Sequence, residues 1–304
     1  MTSLLLTGLD GANPLGFLAA LGVLNVLSDA APAGTTPTLG WTYRGAWRPV
    51  VSSGDGALSV EALEAMVMAD LTSWRKEPAI DLEYDGVRDL KPPPAVYRAF
   101  LERMVARAEP ARRRSVDLAA ALATDVAVDG SGNTKPTALH FTAGQQKFLA
   151  MVKELVEETR AEDVLEALRG PWSYARSLPV LKWDATVFRE YALRADDPSK
   201  EEPNGVPGAD WLAFRGLSFI RVAPRGRQIQ TTGCFGEWKT GGFRWPLWLP
   251  ALARQTVRSV LAHPRLQDLK ERERRARGIA VVFEARIRRS EQGGYGSFSP
   301  AAVV

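Results

Sequence analysis

The 304 residues, 45% hydrophobic and 24% charged, have the composition of a soluble globular protein with core enough for two domains or one elaborated domain. The single cysteine, Cys234, excludes an internal disulfide and a thiol-pair zinc site, and fits a reducing, cytoplasmic setting. A net charge of +4, from 39 basic and 35 acidic residues, excludes no class of partner by itself.

Along the chain, "SLLLTGL" reads as a strand and Asp10-Gly11 as a tight turn. "PLGFLAALGVLNVL", Pro14 to Leu27, has the apolar character of a leader peptide. However, no basic residue precedes Arg44, Asp10 stands before the run and Asn25 lies inside it. It therefore reads as a buried core helix, too short to span a bilayer, with Asn13 as N-cap and Pro14 in the first turn. "TLGWTYRG" and "WRPVVSS" between residues 38 and 53, and "AIDLEY" near 80, read as strands. Three helices follow: one from "KPPP" (Lys91 to Pro94) to about Ala108, one after Pro110 through "ARRRSVDLAAALATDV", and one from Thr142, where "TAGQ" has a capping-box pattern. In the third, Phe148, Met151, Val152, Leu155 and Val156 share one face, opposite Lys153, Glu154, Glu157 and Glu158.

Residues 191–207 read as an exposed loop. "LSFIRVAP", "QIQTTG" and "GIAVVFEARIRR" then read as strands; in the last, Val281, Phe283, Ala285 and Ile287 alternate with Arg286 and Arg288. The expected class is α+β, with mixed or antiparallel sheets and an inserted helical middle region. The division is 1–90 (α/β), 91–180 (helical) and 181–304 (basic, β-rich), the first and last able to form one compact domain.

Catalytic patterns are scarce. His140 and His263 are the only histidines and neither belongs to a metal-ligand spacing, so no metal or cofactor is expected. "GSGNTKPT", Gly130 to Thr137, lacks the Gly-Lys-Thr order of a phosphate loop and reads as a turn; Asp196 and Asp197 read as polar loop residues. Cys234 has no histidine in its sequence context, and no Gly-x-Ser-x-Gly elbow occurs. A metal-independent nucleic-acid-processing enzyme could use Tyr174 or Lys182, though nothing in their context singles them out.

The distribution of charge is more telling. From Arg215 to Arg258 there are eight basic residues and one acid, Glu237, a field that attracts polyanions. Within it, "TTGCFGEWKTGGFRWPLW" (residues 231–248) interleaves aromatic and basic side chains with glycines, the pattern that stacks bases and meets phosphates. Read as a hairpin, it sends Trp245 and Trp248 to the core. Arg225, Arg227, Lys239 and Arg244 are then the leading nucleic-acid contacts. Gln145, Gln146 and Lys147 are further candidates, with the glutamines in a helical first turn whose N–H groups can meet a phosphate; simple capping is the competing reading. Arg112 and Arg113 open another helix, where two of three consecutive arginines can reach phosphates.

Five blocks carry a resemblance: "LTGLDGANPLGFLAALGVLNVL", "LHFTAGQQKFL", "LKWDATVFREYALRADDPS", "WLAFRGLSFIRV" and "TTGCFG…FRWPLW". Together they span residues 3 to about 262. In this order they resemble CRISPR-associated proteins of type I-U (I-G) systems, treated as a compact large subunit of the effector complex. The resemblance implies a non-catalytic subunit of a ribonucleoprotein, partnered by other effector subunits, guide RNA, target DNA and a separate helicase-nuclease, with no membrane role. Guide pairing would read the target, while the protein reads the flanking duplex and backbone. Large subunits are often longer, so a function held in a C-terminal helical bundle would be reduced here or carried by another chain. A scaffold binding only protein, its arginines facing acidic partners, is the other alternative.

Overall fold

The computed structural model describes residues 3–109, 113–142, 144–186, 204–263, 266–289 and 295–304. Strand β1 (Leu4–Leu5) leads into helix α1 (Pro14–Ala30), where the Asn13 side chain accepts from the Leu15 N–H at 3.1 Å as the N-cap. From Pro14 to Leu27 every residue of α1 is buried, so the apolar run is a core helix. β2 (Thr38–Tyr43) and β3 (Trp47–Ser52) form the next hairpin, followed by α2 (Val60–Trp74), capped by Ser59. "AIDLEY" is not a strand: Pro78 starts a 3₁₀ turn over Pro78–Ile80, which buries Ala79 and Ile80.

In the middle, α3 (Pro94–Ala106) matches the expected helix. The next, α4 (Arg114–Leu122), stops short, and its expected C-terminal part is strand β4 (Ala123–Val128), paired with β5 (Thr134–Pro136). Thr124, Val126 and Val128 are β-branched, which favours a strand once a partner is available, and "DGSGN" is the connecting turn. α5 (Phe148–Glu158) buries the five expected apolar residues but begins six residues after Thr142. Thr142 is itself buried and its hydroxyl bonds His140 Nε2 at 2.9 Å, while Gly144 takes φ +59°, so no capping box forms there.

α6 (Ala161–Arg169), β6 (Arg176–Ser177) and β7 (Asn204–Gly205) precede α7 (Pro207–Gly216). Most of the expected loop at 191–207 lies outside the described residues. "LSFIRVAP" divides into a 3₁₀ turn, Leu217–Phe219, and β8 (Val222–Arg225), which pairs with β9 (Gln228–Thr231). β10 (Cys234–Phe235), β11 (Gly242–Trp248), β12 (Leu252–Ala253), α8 (Arg254–Leu261), α9 (Glu271–Ala276), β13 (Ile279–Arg289), β14 (Gly296–Phe298) and β15 (Ala302–Val303) complete the chain.

The fold is α+β, and every pairing between strands is antiparallel. One sheet runs β1-β3-β2-β12, so a strand from the C-terminal region closes the N-terminal sheet. The other runs β10-β11-β13-β14, with β15 also on β13. Aromatics join both sheets to α1. Phe17 lies between Trp41 and Trp245, and the indole N–H groups of Trp245 and Trp248 donate to Gly11 and Leu39 carbonyls. α1 and α7 touch backbone to backbone: a Cβ on Gly22 would lie 1.8 Å from the Leu212 carbonyl oxygen, and one on Gly216 2.1 Å from that of Leu18. One large cluster of buried side chains extends from Leu6 to Phe298, and a smaller one joins Leu266, Leu269, Ile279 and Val282. No helix among the described residues is long and apolar enough to cross a membrane.

Candidate nucleic-acid interface

The eight cations between Arg215 and Arg258 fall into two groups. Arg215 is buried, donating from Nε to Asp70 at 2.9 Å and from Nη2 to Asp29 at 2.8 Å, with its guanidinium over the Trp74 ring. Burial opposes its charge, but these two carboxylates outweigh that and hold its pKa above the usual guanidinium value. Arg254 pairs with Asp29, and both Arg221 and Arg258 pair with the buried Asp117. Arg244 on β11 stands directly across from Glu284 on β13, which accepts from its Nε at 3.0 Å and from its Nη2. Its guanidinium also lies 4.5 Å from the Phe235 ring centroid. Arg244 is thus held by the protein's own acid and leaves the set of available cations; cross-strand neighbours of opposite charge find one another regardless of sequence distance.

Arg225, Arg227 and Lys239 form the second group: exposed, with no ion pair among the described residues. Arg225 pairs with Gln228 in the ladder, so Gly226 and Arg227 form a two-residue turn in which Gly226 takes φ +60°, a conformation glycine adopts without strain. Lys135 on β5 donates from Nζ to the Arg227 carbonyl and to Gln228 Oε1, both at 2.9 Å, and so fixes the turn. Gln230 links the ridge inward, accepting from Arg225 at 3.4 Å and donating to the Cys234 carbonyl on β10 at 3.0 Å. Beyond β10, residues 236–240 form an exposed turn carrying Glu237, Trp238 and Lys239.

The remaining predicted residues are scattered. Arg112 lies outside the described residues. Arg113 is half-exposed and 3.8 Å from Asp117, which also holds Arg221 at the base of β8, so it joins the foot of the ridge. Gln145 and Gln146 precede α5 rather than forming its first turn, a consequence of the uncapped Thr142, and Lys147 is its N-cap residue. Gln145 is exposed, and Gln146 Oε1 accepts from Lys182 Nζ at 3.0 Å. At the α5 terminus beside them, the Phe148 N–H already donates to the Asp89 carboxylate at 3.3 Å.

Both enzymatic candidates have partners. Tyr174 donates to Asp184 at 2.8 Å, and burial, with that carboxylate, raises its pKa well above the phenol value. The Lys182 ammonium lies 4.2 Å from the Tyr295 ring centroid. Both residues hold positive φ, 54° and 64°, in the segment that the Asn13 side chain ties to the start of α1 through Asp184. His140 is buried between Asp89 and Thr142, and desolvation lowers its pKa. Burial pushes the Cys234 thiol up to about 12, making it an inert packed residue. Among the described residues no group of three or more His, Cys, Asp or Glu could hold a metal ion.

Sequence reasoning had no means of identifying Lys135, which entered only as part of a failed phosphate-loop pattern, nor Arg289 beneath Trp238. Both act through partners about ninety and fifty residues away along the chain. Comparison of the chain with family models, with curated proteins and with solved structures returned no match.

Proposed function

We propose that this chain is a non-catalytic, nucleic-acid-binding subunit of a CRISPR RNA-guided DNA-surveillance complex acting in the cytoplasm. On this reading it holds target or flanking DNA and supports recruitment of a separate helicase-nuclease. The resemblance of its sequence blocks to type I-U (I-G) large subunits supplies the complex, the guide RNA and the other effector subunits as partners. One structural observation supports the contact with nucleic acid: five of the eight cations from Arg215 to Arg258 are paired with carboxylates, and the three left without one, Arg225, Arg227 and Lys239, stand exposed at the turns of the β8–β9 and β10–β11 hairpins. Exposed cations on a rigid ridge meet phosphates without first breaking an ion pair, and the counterions they release drive binding.

The test is photo-crosslinking of the full chain to nucleic acid after co-expression with the products of its neighbouring genes, with crosslinked peptides read by mass spectrometry. Crosslinks within residues 222–242 are expected. Co-purification without nucleic acid, or crosslinks confined to other segments, overturns the reading.

A further inference from the structure

We infer that Trp238 is a stacking platform for an unpaired base, so that the ridge takes single-stranded nucleic acid as well as duplex backbone; this rests on the nucleic-acid reading above. Tryptophans elsewhere in the chain show what this fold does with an indole it uses for packing. Trp74, Trp183, Trp211, Trp245 and Trp248 are fully buried, Trp41 is 2% exposed, and Trp47 and Trp172 are partly buried against the core, whereas Trp238 is 48% exposed. A single exposed ring is common on a protein surface and carries little alone; what distinguishes this one is the cation fixed against it.

Trp238 is nevertheless held in place. The Arg289 guanidinium lies 3.4 Å from its ring centroid, and that arginine is anchored from below, donating to the Ala138 carbonyl at 2.9 Å and the His140 carbonyl at 3.1 Å while lying over Phe141. Desolvation brings the Arg289 pKa down to about 10, which still leaves it charged at neutral pH. A fixed cation therefore supports one face of the indole, and about half of the residue remains open to solvent. A base stacked there would complete an arginine–indole–base sandwich with little conformational cost, because the lower two layers are already ordered.

The surroundings specify the occupant. Phe235 is flanked by Arg244 at 4.5 Å and Arg286 at 5.2 Å, both paired with Glu284, and Arg286 also donates to the Thr240 carbonyl, which braces the Trp238 turn. Lys239 is the next residue, and Gln230 connects the turn to Arg225. An exposed indole beside the unpaired Lys239, with Arg225 and Arg227 on the preceding hairpin, matches bases and phosphates, and base stacking onto such a ring tolerates any sequence. An acidic protein surface would satisfy the cations but would leave the indole without a matching flat face.

The test uses the full chain with three fluorescein-labelled probes: a thymidine oligonucleotide, the same backbone with abasic sites, and a duplex. The wild type is expected to prefer the thymidine strand over the abasic strand by about tenfold. Trp238→Ala should erase that preference and Trp238→Phe should keep most of it. Arg225→Ala with Arg227→Ala should weaken both single strands alike, leaving the ratio intact. A wild type without the preference, or a Trp238→Ala variant that retains it, overturns the platform while leaving duplex binding by the ridge standing. Failure to bind any of the probes overturns the platform and removes the nucleic-acid reading beneath it.

Discussion

The arginines around α7 and α8 and the cations of the β8–β11 ridge come from the same forty-odd residues of sequence, yet they do opposite things. Arg215 is 1% exposed and sandwiched between Asp29, Asp70 and the Trp74 ring; Arg225 and Arg227 project from a turn. What separates them is the position of carboxylates from remote segments. Asp29 on α1 reaches Arg215 on α7 and Arg254 on α8, Asp70 on α2 reaches Arg215, and Asp117 on α4 reaches Arg221 and Arg258. A local surplus of basic residues is therefore a poor measure of surface potential until the acids folded against it are subtracted.

This contrast can be broken most forcefully at Arg215. Arg215→Met leaves the buried Asp70 without its cation, while Asp29 keeps Arg254, and the expected loss of unfolding free energy is about 3–5 kcal/mol by chemical denaturation. A loss below about 1 kcal/mol would put Arg215 in the same class as the ridge cations. The acid counterpart is Asp210, buried in α7, accepting from the Leu181 N–H at 2.9 Å and facing no cation among the described residues. Burial, aided by the nearby Asp184 charge, raises its carboxyl to about 7 from 3.8. The folded state therefore keeps a proton that the unfolded state releases, so this group favours folding below the unfolded pKa and its contribution is lost as pH rises through 7. Asp210→Asn retains an acceptor for Leu181, and its stability relative to wild type should grow by on the order of 1–4 kcal/mol between pH 4 and pH 8.

Asp117→Asn sharpens the contrast on the paired side. It removes the shared counter-charge of Arg221 and Arg258 and should cost about 1–3 kcal/mol, again by denaturation. At the small end, replacing Arg225, Arg227 and Lys239 together by alanine should change stability by no more than about 0.5 kcal/mol, read as an almost unmoved denaturation midpoint. A large loss there would make the ridge a structural element.

Much of the scaffold was legible in the sequence. The Pro14 to Leu27 run, the apolar face of α5, the alternation in β13 and the burial of Trp245 and Trp248 each follow from local period or residue type. Misreadings occurred where a tertiary partner overrode a local signal. Thr142 gave its hydroxyl to His140 instead of a helix terminus, and the end of the second expected helix became β4 because β5 was there to pair with it. The candidate site was partly legible for the same reason. Arg225, Arg227 and Lys239 are set by their turns, which glycines announce, whereas the fate of Arg244 depended on Glu284, forty residues away in sequence and directly opposite in the sheet.

The most direct test of the partition is the salt dependence of nucleic-acid binding by the full chain and two variants. One lacks Arg225, Arg227 and Lys239; the other, the pair variant, carries Arg244→Ala, which leaves Glu284 still paired with Arg286. The ridge variant should bind more weakly, with a slope of log affinity against log salt shallower by about 2–3, and the pair variant should keep the wild-type slope. Equal slopes for the ridge variant and the wild type would contradict the account.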